Sequence, residues 1–212
     1  TAGGTEADNL VLQSAVKDLK VTHIITTKIE HHAVLHTVAQ LAIEYGISIS
    51  YVKVLSNGTI DYNHLETLLK STKKTLVSLM HVNNEIGTIL DLQKVADLCQ
   101  TNAALFHTDS VQSVGHYPID LQKIPLDFLA ASAHKFHGPK GIGFAYIRKN
   151  SGLKPQILGG TQERGIRAGT ESIHDIVGLD EALSLSYENL DSEITQVKAL
   201  KSYFIEELTT QI

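Results

Sequence analysis

Apolar positions along the chain follow two periods that take turns. Short runs with the alternating or wholly apolar pattern of strands occupy His23–Thr27, Ile47–Val54, Thr75–Val82, Ala104–Thr108, Phe128–Ser132 and Gly143–Arg148. Between several of them the spacing changes to three and four residues. Val34, Val38, Leu41, Ala42 and Tyr45 share one helical face, and Leu92, Val95, Ala96 and Cys99 share another. Strands alternating with helices predict an α/β domain with a mostly parallel sheet. Strands apolar along their whole length predict helices over both faces. The expected architecture is three layers, α/β/α, around a mostly parallel mixed sheet, followed by C-terminal helices. Gly46 is placed to end a helix, and Asn57-Gly58 to turn the chain after the second strand run. From about Ser172 the pattern is long helix, interrupted only around Asn189–Ser192. The amphipathic stretch Glu193 to Leu208 has no further element to face. Residues 1–190 are therefore expected to form one large domain, and 191–212 a helix that begins a smaller one.

Open parallel sheets bind ligands at the carboxyl ends of their strands. Here the residues just past the strand runs are unusually polar: Glu30-His31, Asn83-Asn84-Glu85, Asp109 with Gln112, and His134-Lys135. They are expected to converge on one cleft.

Composition narrows the partners. With 42% hydrophobic and 19% charged residues the chain has the make-up of a folded globule. A net charge of -5 gives no general attraction to phosphate backbones, so no direct nucleic-acid contact is expected. No apolar run approaches the ~20 residues that cross a bilayer. The single cysteine, Cys99, excludes an internal disulfide framework and fits a reducing, cytoplasmic setting. The chain opens on Thr1 and runs straight into a glycine-rich motif, which suggests a partial chain.

Two segments carry the candidate chemistry. In Thr1-Ala2-Gly3-Gly4-Thr5-Glu6, glycines let the backbone approach an anion, the first helical turn offers free amides, and Thr5 adds a hydroxyl. Taken alone it also reads as an ordinary glycine-rich turn with Thr5 as N-cap. In Ser132-Ala133-His134-Lys135-Phe136-His137-Gly138-Pro139-Lys140-Gly141, a lysine at a strand's end is flanked by a hydroxyl and an imidazole. An amine that forms an imine must lose its proton near neutral pH, which burial and cationic neighbours promote. Asp109 is complementary, since a carboxylate on a pyridine nitrogen keeps that ring protonated and electron-withdrawing. An amine, a buried carboxylate and a phosphate cradle together point to pyridoxal phosphate.

Six ordered motifs resemble the cysteine desulfurases, class V aminotransferase-like enzymes of the fold-type I pyridoxal-phosphate group. They are Gly3-Gly4-Thr5-Glu6-Ala7-Asp8-Asn9, Glu30-His31, Met80-His81-Val82-Asn83-Asn84-Glu85-Ile86-Gly87, His107-Thr108-Asp109-Ser110-Val111-Gln112-Ser113, His134-Lys135, and Gly159 through Thr170. The resemblance implies that Lys135 is the Schiff-base lysine and that His31 stacks on the pyridine ring and assists proton transfer. Asp109 would pair with the pyridine nitrogen and Gln112 with the phenolic oxygen, while Asn84 would lie near cofactor and substrate. Gly4, Thr5, Ser132 and His134 would hold the phosphate, with Thr170 reaching in from the other subunit of a homodimer. The implied reaction converts L-cysteine to L-alanine. Its sulfur would pass as a persulfide to an acceptor such as an iron–sulfur scaffold, or to tRNA or other thio-cofactor synthesis. The family often has alanine where this chain has Gly4, and glycine where it has Ala133; both read as small exchanges. The family's persulfide cysteine and its arginine for the substrate carboxylate lie in a later region. Cys99, on an apolar helical face, is not expected to replace that cysteine.

Other readings remain open at this level. His32 and His36 have a helical spacing that can chelate zinc, but without the glutamate between them that a zinc protease uses. The same scaffold also serves selenocysteine lyase, kynureninase-like and epimerase chemistry, and fold-level analogy does not choose among them. A non-catalytic truncated module is the third alternative. Arg164 and Arg167, in a glycine-rich loop, could touch a phosphate or an acidic partner, and read at least as readily as solvent-exposed.

Overall fold

The computed structural model describes residues 1–211. Strands β1 (His23–Thr26), β2 (Ser48–Tyr51), β3 (Thr75–Ser78), β4 (Leu105–Asp109), β5 (Phe128–Ser132) and β6 (Gly143–Ile147) form one sheet in the order β2-β1-β3-β4-β5-β6. The pairs linking β2 to β5 are parallel, and β6 runs antiparallel to β5 with Ser132 opposite Gly143. An antiparallel partner can be reached by a short turn instead of a crossover helix. That turn carries Lys135.

Neighbouring apolar residues in each strand serve different layers, because side chains alternate across a sheet. Ile24, Leu76 and Phe128 pack with α1 (Gly4–Lys17) and α2 (His32–Tyr45) on one face. Ile25, Val77 and Leu129 pack on the other face with α3 (Tyr62–Leu69), α4 (Leu92–Thr101) and α5 (Ile173–Glu188). The three-layer expectation is met. Each fully buried Leu, Ile or Phe contributes about 1.5–3 kcal/mol, so the two faces supply most of the stabilisation.

Helix starts are fixed locally. Asp61 and Asp91 cap α3 and α4 by accepting from His64 N and Lys94 N, both at 3.0 Å. Gly46 closes α2 in the left-handed region at φ 65°. Two expectations are corrected. Tyr45 is 48% exposed, because the last turn of α2 runs past the sheet edge that buries Val34, Val38 and Leu41. The second and third strands stop at Tyr51 and Ser78, earlier than their apolar runs; beyond them only scattered backbone bonds continue, such as Val52 N to Thr26 O and His81 N to Asp109 O, as the chain turns into loops. The helical tail breaks at Asn189, and α6 (Leu190–Gln211) follows.

Candidate functional site

The start of α1 forms one wall of an open cavity of about 680 Å³. Gly3, its N-cap, supplies no side-chain acceptor, so the amides of the first turn stay available to an anion. Gly4 is buried, and a Cβ there would collide with Val111 Cγ2. Gly4 is thus matched to Val111, a correction to its reading as a neutral exchange for alanine. Thr5 lines the same cavity, and Ser132, His134 and Lys140 from the β5–β6 turn form the opposite wall. Ser132 Oγ lies 2.8 Å from His134 Nδ1, which fixes that ring. Lys140 was legible only as part of a Gly-Pro-Lys-Gly turn, yet it adds a cation to the wall.

Three buried carboxyl groups that do not line this cavity have no lysine or arginine partner among the described residues. Asp109, at the end of β4, is 5% exposed, and its Oδ1 accepts from Val111 N at 2.9 Å. Burial first, and then the neighbouring Asp8, push its acid up to about 7. Burial lifts Asp8 and Glu30 to about 8. His107 faces Asp8 across 3.4 Å and Ser78 Oγ across 2.9 Å, and burial lowers its imidazole to about 4. Among the described residues no lysine or arginine pairs with Asp8, Glu30 or Asp109. A buried carboxylate without a cation is costly, so the cluster suits a ligand that brings its own positive charge.

The remaining candidates lie on separate turns and loops. Lys135 is exposed on a 3-10 turn, Ala133–Phe136, anchored by the fully buried Phe136. Its carbonyl lies 2.8 Å from His116 Nε2, and His137 closes the turn at φ 68°. His31 is the N-cap of α2, with Nδ1 accepting from Ala33 N at 3.1 Å, and it lies near enough to Asp109 to favour its ionised form. Asn84 is exposed and donates to Glu85 Oε1 at 2.7 Å. Gln112 is half-buried in the turn after β4, and Thr170 is exposed. The structure therefore brings Gly4, Thr5, Ser132 and His134 to one cavity, with Lys135 one residue beyond it. Asn84, Gln112 and Thr170 do not line that cavity.

Sequence reasoning did not identify the partners in two contacts. Arg167, open between an acidic partner and solvent, meets Glu6 through Nε–Oε1 at 2.9 Å and ties the Thr170 loop to the first turn of α1. Asp8 and His107 form the buried pair described above. The available signal was His107 two residues before Asp109, hence on the same strand face. His32 and His36 stack at 5.0 Å on the surface, and among the described residues no three His, Cys, Asp or Glu side chains gather as a metal set. No helix among them is long and apolar enough to cross a membrane.

Comparison with known proteins bears on the same elements. The cysteine desulfurase IscS of Dictyoglomus turgidum is 42% identical over 214 residues, covering 100% of this chain and 54% of that protein. A NifS-like protein of known structure superposes with a TM-score of 0.94 at 38% identity, over 99% of this chain and 58% of that one. SspA, solved in complex with cysteine, superposes with a TM-score of 0.80 at 36% identity, over 87% of this chain and 54% of its own. The chain thus spans about half the length of the curated relatives it matches. Its fold is that of NifS-like, pyridoxal-phosphate-dependent fold-type I proteins. The Aminotransferase class-V model matches residues 1–211, and the chain belongs to that family.

Proposed function

We propose that these residues are the cofactor-binding portion of a pyridoxal-phosphate-dependent cysteine desulfurase, which converts L-cysteine to L-alanine and passes the sulfur on as a persulfide. The observation that carries this reading is the shared cavity. The open first turn of α1 faces Ser132 and His134, and those residues lead directly into Lys135. The residues present fit the cofactor on two counts. A glycine-lined helix start with hydroxyl, imidazole and lysine neighbours suits a phosphate dianion. The unpaired Asp109 carboxyl suits a protonated pyridine nitrogen.

Bound there, pyridoxal phosphate supplies an electron sink conjugated to the substrate's α-carbon. Lys135 Nζ is the amine that would hold it covalently and move the proton at that carbon. Asp109 would hold the pyridine proton, and His31 would cover the ring and assist proton transfer. Gln112 would donate to the phenolic oxygen, and Asn84 would orient cofactor and substrate. Gly4, Thr5, Ser132 and His134 would bind the phosphate, joined by Thr170 of a partner subunit in a homodimer. Cys99 is not the sulfur carrier: it is 2% exposed, and burial raises its thiol well above the usual range, which keeps it from being a nucleophile. The sulfur-carrying cysteine then lies outside these residues. The acceptor is a protein such as an iron–sulfur scaffold, and the setting is the cytoplasm. Residues 1–190 would form the large domain, with 191–212 beginning a smaller one. The SspA structure with cysteine supports the choice of substrate within the family.

The test is a visible spectrum of the purified protein with added pyridoxal phosphate, beside Lys135→Ala. A yellow, borohydride-reducible adduct lost in the variant is expected, with alanine formed from cysteine by the full-length protein. A folded protein with no such band would end this reading.

A further inference from the structure

At the carboxyl edge of the sheet β1 and β3 stop pairing, and two buried side chains take over the hydrogen-bonding groups they leave. Successive amides of a parallel strand point to opposite neighbours. Leu79 N and His81 N donate to His107 O and Asp109 O on the β4 side, at 3.2 and 2.9 Å, so Met80 N faces the β1 side. There the chain has already turned away, and Glu30 Oε2 accepts this amide at 2.9 Å. The other Glu30 oxygen lies 2.7 Å from Thr27 Oγ1, which also accepts from Ile29 N at 3.2 Å. In the opposite direction Asn83 Nδ2 donates to Ile29 O at 2.7 Å. Asn83 Oδ1 accepts from Glu85 N and Ile86 N at 2.9 and 3.0 Å, which shapes the following turn. Glu30 and Asn83 are 6% and 5% exposed. The residue after each is an exposed candidate of the site, His31 in one case and Asn84 in the other.

We propose that Glu30 and Asn83 are positioning residues, a two-way brace between the β1 and β3 loops that sets the separation and orientation of His31 and Asn84. The proposal rests on the assignment of those two residues to a pyridoxal-phosphate site. The brace spends buried polar groups where a continuing strand would have used its backbone, so losing either member leaves a buried amide or carbonyl unpaired. Burial, with a smaller push from Asp109, raises Glu30 to about 8 despite its bond to Thr27. Thr27 Oγ1 is the donor to Glu30 Oε1, and glutamine is a close isostere without the charge: its amide oxygen accepts from Met80 N, and its N–H reaches Thr27 Oγ1 when that hydroxyl rotates to accept. Aspartate at position 83 keeps an acceptor for the turn but has no N–H for Ile29 O. These two variants separate shape from charge, and brace from turn.

The experiment uses the full-length protein loaded with pyridoxal phosphate. Misplacing a catalytic group by about 1 Å can cost on the order of a hundredfold in rate. Glu30→Ala and Asn83→Asp are expected to lower kcat with L-cysteine by roughly tenfold or more while KM moves much less. Both should weaken the visible circular dichroism of the bound cofactor, and Glu30→Gln should restore signal and kcat. In the cofactor-free protein, hydrogen exchange at Met80 N should quicken in Glu30→Ala and stay slow in Glu30→Gln. If Glu30→Ala does not fold, Asn83→Asp against Glu30→Gln still decides. Unchanged kcat and dichroism in Asn83→Asp, or a Glu30→Gln variant as impaired as Glu30→Ala, would overturn the brace. A visible band that survives Lys135→Ala would overturn the site assignment instead, and the Met80 exchange rates tell the two failures apart.

Discussion

Strand β5 and helix α6 have comparable apolar residues and opposite fates. All five residues of β5 are buried, whereas Leu190 alone is buried in the described part of α6. Val197, Leu200, Tyr203 and Phe204 of α6 are each about 60% exposed. Periodicity fixes the kind of element, but burial depends on what else reaches it. Strand β5 has β4 and β6 at its sides and packed side chains on both faces, while α6 has no covering layer among the described residues. Phe128→Ala, which empties a fully buried ring site in β5, should cost about 3–5 kcal/mol in a denaturant titration. A loss below about 1 kcal/mol would break the contrast.

The buried acids make the well-packed end sensitive to pH. Asp8, Glu30 and Asp109 titrate in the fold near 8, 8 and 7. In the unfolded chain they would titrate near about 4. Groups raised in this way favour the fold fully at low pH, and that contribution is lost as pH rises through the folded values. His81 and His107, lowered by burial to about 4, act in the opposite sense, but only below their unfolded value of about 6.5. Between about pH 6.5 and 8 the Thr1 amino group, held below its ordinary value by burial, opposes the three acids, and they outnumber it, so the cofactor-free protein should lose stability across that interval. At about 1.4 kcal/mol per pKa unit, Asp8 and Glu30 carry most of the fall, and Asp109, with the lowest of the three folded values, only its first part. Glu30→Gln should therefore reduce the fall more than Asp109→Asn. A denaturation midpoint that rose with pH would count against an uncompensated cluster.

A smaller effect is expected at the cradle, where Gly4 and Val111 meet. Gly4→Ala should destabilise by about 1–3 kcal/mol through overpacking, and adding Val111→Ala should recover most of it. Equal costs for the single and double variants would show that the two positions are not coupled.

The six strands and the helices α2 and α4 were legible because alternation and apolar continuity report directly on a two-faced sheet. The four phosphate-cradle candidates came from the resemblance, because a glycine-rich turn with Thr5 as N-cap reads by itself as an ordinary helix start. The brace was not legible, since nothing in the local pattern at Glu30 or Asn83 says that a neighbouring strand will stop short and leave Met80 N open. The pairing of Arg167 with Glu6 spans 161 positions, and two charges so far apart carry no mutual signal in one sequence. The exposure of Tyr45 escaped for a similar reason, because helical phase does not report where the covering sheet ends.

The smallest expected change lies on α6. We propose that residues 191–212 begin a second domain, so the cost of altering their apolar face depends on how much chain is present. In residues 1–212 alone, Phe204→Ser removes a ring that is 63% exposed and should shift unfolding by no more than about 0.5 kcal/mol. It should nevertheless reduce self-association in sedimentation velocity, because an exposed cluster of Val197, Leu200, Phe204 and Leu208 is a sticky surface. In the full-length protein the same substitution should cost about 2 kcal/mol or more, the penalty of a buried aromatic. Equal, negligible costs in both would mean that this face stays in water and that α6 opens no second core.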